Sequence, residues 1–232
     1  MRKNAVWCIP GTFFTIACIL NLIGSIQGAP LADIVKPALL PLLTATTLAY
    51  LLGRDIPDYT QVGLLVAAQL FGCTGDVLLI RPDVFSFFVG GIAAFLIGHF
   101  FYMCLFGTQS WKGLNVWQWL IALVVMGAAV FGLVKAIGIK GDLLAPMAVY
   151  GFILTLLIFS ALAGVLRMPR GQRKTWWILL FGALLFAVSD CCLAMETFGL
   201  ITFPLRHLLV MATYLLAQSL LAVGGVRLIL GR

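Results

Sequence analysis

Apolar runs of about 20 residues follow one another along nearly the whole chain and are separated by short polar segments. A run of that length crosses the hydrocarbon core of a bilayer as a helix. Membrane β-strands instead alternate over about 10 residues, so the runs exclude a β-barrel. Charged residues form only 10% of the sequence, against about 25% in soluble proteins. We therefore predict an all-α, polytopic integral membrane protein with a single membrane domain over 1–232.

We predict eight membrane spans. Their approximate bounds are 5–26, 37–52, 62–80, 84–106, 116–137, 143–165, 176–196 and 207–230. The first span has the position of a signal peptide, but its apolar run is too long for one, so we expect it to be retained. Pro37 is predicted to open the second span, because proline suits the first turn of a helix. Short loops predict that consecutive spans pack as antiparallel neighbours.

Lysine and arginine residues are divided unequally between the two sides of these spans. An even number of spans puts both termini on one side, which holds ten of the 15 basic residues, and the other side holds five. The positive-inside rule then places both termini in the cytoplasm, which in a bacterium means the inner membrane. The net charge of +7 is thus an orientation signal, and we predict the lipid bilayer, not nucleic acid, as the partner.

Two carboxyl groups, Asp76 and Asp190, lie inside predicted spans. An aspartate near the middle of a span costs about 3 kcal/mol to insert, which indicates a functional role. Counted from the predicted helix ends, the two lie about 6 Å and 9 Å from the same, non-cytoplasmic side. Tyr150 and Tyr214 reach about 10 Å by this count, and Lys36 stands at that surface. We predict that the five side chains converge on one layer.

Four further polar residues are candidates for the same site. His99 and Tyr102 share one face of the fourth span, and the residue count places His99 about 22 Å from the outer end, away from the carboxyl groups. For His99 the roles of ligand, base and buried structural residue stay open. Ser189 can hydrogen-bond to the neighbouring aspartate or to the backbone, and Gln218 can hydrogen-bond across helices.

Motifs for metal and nucleotide chemistry are missing from the sequence. Two histidines cannot supply a three-histidine zinc site, and the six cysteines have no Cys-x-x-Cys spacing. Neither a Walker motif nor a Gly-x-Ser-x-Gly elbow is present. We predict no metal and no cofactor, and a pair of carboxyl groups in a low-dielectric cavity as the available chemistry.

Six short motifs occur in order across spans two to eight. They are Lys36-Pro37, Gly75-Asp76, Gly91-x3-Phe95-x3-His99-x2-Tyr102, Pro146-x3-Tyr150, Gly182-x3-Phe186-x2-Ser189-Asp190 and Tyr214-x3-Gln218. Together they resemble the YhhN/TMEM86 family of integral membrane lysoplasmalogenases. The resemblance implies hydrolysis of the vinyl ether bond of a lysoplasmalogen, a lysophospholipid, to a fatty aldehyde and glycerophosphoethanolamine or glycerophosphocholine. It also implies that Asp76 and Asp190 are the catalytic pair.

Vinyl ether hydrolysis suits two carboxyl groups. A carboxylic acid protonates the β-carbon, and a carboxylate stabilises the resulting oxocarbenium ion or activates water, much as in glycosidases. We predict Asp190, the deeper of the two in its apolar run, as the acid, and Asp76 as the carboxylate, whose negative charge Lys36 stabilises. The residues predicted to contact the substrate are Lys36, His99, Tyr102, Tyr150, Ser189, Tyr214 and Gln218.

Two other functions are compatible with the same residues. In a transporter or lipid scramblase the aspartate pair would relay protons or ions. In a structural membrane subunit the buried polar residues would be inert. An assay for fatty aldehyde separates the enzyme from both.

Overall fold

The computed structural model describes residues 6–27, 30–139, 141–197, 199–200 and 205–231. Within them the chain forms eight α-helices and no strand, and each helix is long and apolar enough to cross a membrane. The helices are α1 (Cys8–Gln27), α2 (Leu31–Leu51), α3 (Tyr59–Leu78), α4 (Phe85–Ser110), α5 (Val116–Ile137), α6 (Leu144–Arg167), α7 (Arg173–Thr197) and α8 (Arg206–Ile229). The predicted class, an all-α polytopic membrane protein, is confirmed.

Helix α2 begins at Leu31, so the prediction that Pro37 opens this span is wrong. Both Pro37 and Pro41 lie inside the helix. Because Pro41 has no N–H, the Pro37 carbonyl one turn earlier lacks its usual helical donor. The Cys73 thiol of α3 donates to that carbonyl, with a sulfur–oxygen distance of 3.7 Å. A bond from a neighbouring helix therefore replaces the missing one, which is how membrane helices tolerate internal proline.

Helix ends outside the apolar runs are fixed by local side-chain contacts. Asp58 caps the start of α3, where its Oδ1 accepts a hydrogen bond from the Thr60 N–H at 2.8 Å, and this bond lowers the pKa of Asp58. At the start of α5, Asn115 and Gln118 exchange the two hydrogen bonds of a capping box. Gly138 ends α5 in a left-handed conformation with φ of +74°, which glycine adopts without strain. The two caps thus define where α3 and α5 begin, and Gly138 defines where α5 ends.

Helix α8 lies at the centre of the bundle and packs against α7, α1, α2 and α3. Helix α4 packs between α3 and α6, and α5 packs on α6 at the periphery. The prediction that consecutive spans are neighbours thus fails for α4 and α5, because α3 and α6 already occupy the flanks of α4. Trp111, in the turn after α4, donates a 3.0 Å hydrogen bond to Ser160 of α6 and ties this turn to α6 instead.

Small residues bring α3 and α4 into close contact. A Cβ atom built on Gly98 would lie 3.0 Å from the Ala68 carbonyl, and one built on Gly75 would lie 2.7 Å from the Phe95 ring. Glycine at such positions lets helix backbones approach in membranes. The approach brings the segment of α3 that carries Asp76 next to α4.

Candidate active site

Asp76 of α3 is buried and hydrogen-bonded to α8. Its Oδ2 accepts a bond from the Tyr214 hydroxyl at 2.6 Å. Behind this pair, the Tyr102 hydroxyl of α4 donates to Gln218 Oε1 at 3.0 Å, and Gln218 Nε2 donates to the Tyr214 oxygen at 3.5 Å. Each donor in this series of hydrogen bonds points toward Asp76, so the series stabilises a negative carboxylate at Asp76.

Asp190 of α7 has a tyrosine partner of its own. Its Oδ2 accepts a hydrogen bond from the Tyr150 hydroxyl of α6 at 2.5 Å. Both residues are half-buried, and both line a cavity whose other walls are apolar side chains of α3, α4, α5, α6 and α7. Of the two carboxyl groups, Asp190 is therefore the one that borders open space, and Asp76 is enclosed by protein.

A layer of aromatic rings separates the two aspartate–tyrosine pairs. The Phe186 ring lies 4.3 Å from the His99 ring on one side and 5.5 Å from the Tyr214 ring on the other, measured between centroids. Phe95 completes the layer at about 6 Å from both Phe186 and Tyr214. Each carboxyl group is hydrogen-bonded to its tyrosine and, within the described residues, not to the other carboxyl group. The two carboxyl groups therefore occupy separate positions and are not joined by a hydrogen bond.

His99 lies beside the carboxyl groups, so the prediction that it lies far from them is wrong. Its ring centroid is 5.5 Å from that of Tyr150, which binds Asp190. The residue count assumed that all helices begin in one plane. Helix α4 has 26 residues and is about 39 Å long, which exceeds the roughly 30 Å hydrocarbon core. Distance along α4 therefore does not report depth relative to α6.

The apolar cavity beside Asp190 has a volume of about 70 Å³ and adjoins a larger polar cavity of about 520 Å³. Four residues line both: Leu79, Phe88, Leu193 and Thr197. The polar cavity lies at the end of the bundle opposite the termini, between the ends of α1, α3 and α7 and the starts of α2, α4 and α8. Asp76 lies one helical turn before Leu79 and Ile80 in its wall. An apolar space and a polar space thus meet next to the carboxyl groups.

The predicted substrate-contacting residues fall into two groups. Lys36 lines the polar cavity, and Tyr150 lines the apolar cavity. The other five are enclosed behind the cavity walls: His99, Tyr102, Ser189, Tyr214 and Gln218. The Ser189 hydroxyl donates to the Val210 carbonyl of α8 at 3.0 Å and so bonds to the backbone. Direct contact of these five with substrate remains a prediction, and their placement suits positioning of the two aspartates.

Sequence reasoning missed Glu196 and offered for Asn21 only a hydrogen bond across helices, as for Gln218. Both Glu196 and Asn21 line the polar cavity. Glu196 ends an apolar run six residues after Asp190, which is the signal that could have pointed to it. Within the described part of the chain, no three His, Cys, Asp or Glu side chains cluster as metal ligands, and the absence of a metal remains a prediction.

Fold and site together define a class: a polytopic helical membrane protein with two tyrosine-bound carboxyl groups beside adjoining apolar and polar cavities. The YhhN family model matches residues 31–225, which is most of the chain. The chain belongs to the YhhN family, and the resemblance found in its motifs is confirmed.

Relatives in mammals carry the name lysoplasmalogenase. The human protein named lysoplasmalogenase TMEM86B is 32% identical over 169 residues, which cover 73% of this chain and 65% of the human protein. Its mouse counterpart is 31% identical over 172 residues, 74% of this chain and 67% of that protein. The bovine lysoplasmalogenase TMEM86A is 30% identical over 184 residues, 79% of this chain and 72% of that protein. No solved structure matches the chain.

Proposed function

We propose that this protein is a lysoplasmalogenase, which hydrolyses the vinyl ether bond of a lysoplasmalogen inside the membrane. The observation that carries the proposal is the position of Asp190, which is bound to Tyr150 in the wall of an apolar cavity that adjoins a polar one. A lysoplasmalogen has an apolar chain and a polar headgroup, and the vinyl ether lies where they join. The names of the mammalian relatives support the same activity.

The two cavities suggest how the substrate lies. The first carbons of the alkenyl chain occupy the apolar cavity, and the rest of the chain extends into the bilayer. The headgroup occupies the polar cavity. Asp190, Leu193 and Thr197 share one face of α7, because positions i, i+3 and i+7 of a helix align. Leu193 and Thr197 line both cavities, so Asp190 stands next to the boundary at which the vinyl ether lies.

In the first step Asp190 acts as the general acid. Its proton moves to the β-carbon of the vinyl ether, and the electron pair of the carbon–carbon double bond forms the new C–H bond. The product is an oxocarbenium ion and an Asp190 carboxylate. Apolar cavity walls disfavour a charged carboxylate before the reaction. Tyr150 donates its hydroxyl hydrogen to Asp190 and stabilises the negative charge as it forms.

In the second step Asp76 stabilises the cation through the low dielectric of the protein interior, where charges interact more strongly than in water. Water attacks the cationic carbon and gives its proton to the Asp190 carboxylate, which leaves a hemiacetal. The glycerol oxygen then takes up the proton of Asp190 as its bond to the hemiacetal carbon breaks, and the Asp190 carboxylate takes up the hemiacetal O–H proton as the aldehyde C=O forms. The products are a fatty aldehyde and the glycerophospho alcohol, and both aspartates return to their starting states.

Release of fatty aldehyde from a lysoplasmalogen by the purified protein is the expected result that tests this proposal. The matched control is a lysolipid with a saturated alkyl ether, which has no double bond to protonate and should stay intact. Proteoliposomes with a fluorescent lipid provide the second measurement. Lipid scrambling or solute uptake without aldehyde release would contradict the hydrolase and favour the transporter.

We also propose that both termini lie in the cytoplasm, which in a bacterium makes this an inner-membrane protein. The proposal is based on the ten-to-five division of basic residues. A reporter fused after Gly171, between α6 and α7, should be cytoplasmic, and one fused after Asp83, between α3 and α4, should lie on the opposite side. The reverse result would place the polar cavity on the cytoplasmic side.

A further inference from the structure

Two residues that line the polar cavity each carry a buried oxygen atom without a hydrogen-bond donor. Asn21 is fully buried, and its Nδ2 donates to the Ala32 carbonyl at 2.9 Å, but its Oδ1 has no partner. Because the Ala32 carbonyl can only accept a hydrogen bond, the end of the Asn21 amide that faces it must be the nitrogen, and the other end is the oxygen. Glu196 Oε2 is also buried without a partner. A buried acceptor without a donor costs about 1–3 kcal/mol, so both atoms indicate a ligand that donates hydrogen bonds.

The other oxygen of Glu196 is already occupied. Oε1 accepts a 2.7 Å bond from Arg206 Nε and lies 3.2 Å from His207 Nε2. These contacts hold the carboxylate in place at the start of α8 and leave Oε2 for another donor. Asn21 is on α1 and Glu196 is on α7, so the two free acceptors belong to different walls of the same cavity.

The charges that line the polar cavity favour a ligand with both signs. Three carboxylates, Asp33, Asp83 and Glu196, face one lysine, Lys36. Asp83 is already paired with Arg81 at 3.2 Å, and Glu196 is paired through Oε1 with Arg206 at 2.7 Å, so Glu196 offers its second oxygen and Asp33 its whole carboxylate. The carboxylates attract a cationic group, and Lys36 attracts an anionic one such as a phosphate. A zwitterion with separated ammonium and phosphate groups matches this arrangement.

We propose, on the basis of the lysoplasmalogenase function above, that this cavity selects lysolipids whose headgroup ends in a primary ammonium. The phosphate lies at Lys36, and the ammonium donates to Glu196 Oε2 and Asn21 Oδ1. A primary ammonium carries three N–H donors, whereas the trimethylammonium of choline carries none. An ethanolamine headgroup therefore supplies donors that these acceptors lack, and a choline headgroup supplies none.

The spacing along α7 agrees with this arrangement. Glu196 follows Asp190 by six residues, which is about 9 Å along the helix axis. The same six residues also turn the helix by about 240°, so the two carboxyl groups lie on different faces of α7. The single bonds between the vinyl ether oxygen and the amine let a glycerophosphoethanolamine group cover the axial separation and bend around the helix. The same lipid can thus present its vinyl ether to Asp190 and its ammonium to Glu196.

The test compares kcat/KM for the ethanolamine and choline forms of one lysoplasmalogen. We expect the unmodified protein to prefer the ethanolamine form by at least about tenfold, the lower end for a hydrogen bond to a charged group. Glu196→Gln should remove most of this preference by raising KM for the ethanolamine form, with little change for choline. Asp55→Asn, an exposed carboxyl group between α2 and α3, is the matched control and should keep the preference. Equal rates for both lipids, or an equal loss for both in Glu196→Gln, would overturn the proposal.

Asn21→Leu provides a second variant in case Glu196→Gln folds poorly. It removes the free Oδ1 and should also reduce the preference. The ratio of the two kcat/KM values is the readout, because the fraction of folded protein cancels from it. An unchanged ratio in well-folded samples of both variants would overturn the proposal.

Binding of uncleavable alkyl ether lysolipids separates this proposal from the lysoplasmalogenase function. The unmodified protein should bind the ethanolamine form at least about tenfold more tightly than the choline form. Glu196→Gln should bind the two forms with similar affinity. That result without aldehyde release would support the headgroup site and contradict the hydrolase. Aldehyde release with equal binding of both lipids would support the hydrolase and contradict the headgroup site. Soluble glycerophosphoethanolamine should compete weakly, since it lacks the chain that the apolar cavity holds.

Discussion

Replacing Asp190 with asparagine is expected to lower kcat for aldehyde release by at least about a hundredfold, because general acid catalysis is typically worth 10²–10⁴-fold. The amide keeps the shape of the carboxyl group but cannot supply the proton. Asp76→Asn is expected to cause a loss of similar size, since the oxocarbenium ion would lose its counter-charge. The double variant should lose much less than the product of the two single losses, because both residues act on one transition state. The measurement is kcat for the three variants in detergent.

Both variants should insert and fold, because replacement of an ionisable side chain in a membrane span by a neutral amide lowers the cost of insertion. Size-exclusion chromatography checks folding, and Asp55→Asn, which lies outside the helices, controls for a general effect of losing a carboxylate. A well-folded Asp190→Asn protein with near-normal turnover would remove Asp190 from the mechanism. Near-normal turnover of a well-folded Asp76→Asn protein would mean that another group stabilises the oxocarbenium ion. Tyr150 would then be the first residue to replace.

The number and approximate positions of the helices could be predicted from the sequence, because each membrane span is a run of about 20 apolar residues that is recognisable by itself. The start of α2 could not be predicted this way. In soluble proteins a proline inside a helix leaves a carbonyl unpaired, and the rule placed Pro37 at the helix start. Helix α2 instead contains both Pro37 and Pro41, and the carbonyl that Pro41 leaves without a donor, that of Pro37, accepts a bond from the Cys73 thiol of another helix. No local pattern around Pro37 contains that contact.

The sequence indicates candidate residues for the site but not how they are arranged. Asp76, Asp190, Tyr150 and Tyr214 stand out because polar groups inside spans are expensive. Which tyrosine bonds to which aspartate depends on how α3, α6, α7 and α8 pack, and sequence spacing within one helix does not determine it. The misplacement of His99 has the same origin, since offsets and tilts between helices are absent from a residue count. Glu196 was missed because it reads as an ordinary polar residue at the end of a span.

Gly75 is the second position where we expect a large effect, through the packing of the aromatic layer. A Cβ atom at Gly75 would lie 2.7 Å from two atoms of the Phe95 ring, closer than real Cβ contacts come. Phe95 is buried and packs against Phe186 and Tyr214, so its ring has little room to move. Overpacking of this kind typically costs about 1–3 kcal/mol. Gly75→Ala should therefore lower the thermal midpoint in detergent.

Activity should fall further than stability in Gly75→Ala, because the displaced ring lies beside the bond between Tyr214 and Asp76, and small misplacements of catalytic groups can cost about a hundredfold. Gly63→Ala is the matched control in the same helix. Gly63 is exposed, a Cβ atom added there would meet no other atom within 4 Å, and alanine is the better helix former, so stability and activity should be kept. The measurements are the thermal midpoint and the rate of aldehyde release of both variants. If Gly75→Ala matched Gly63→Ala in both, Phe95 would have to move freely, and the aromatic layer would not hold the two aspartate–tyrosine pairs in place.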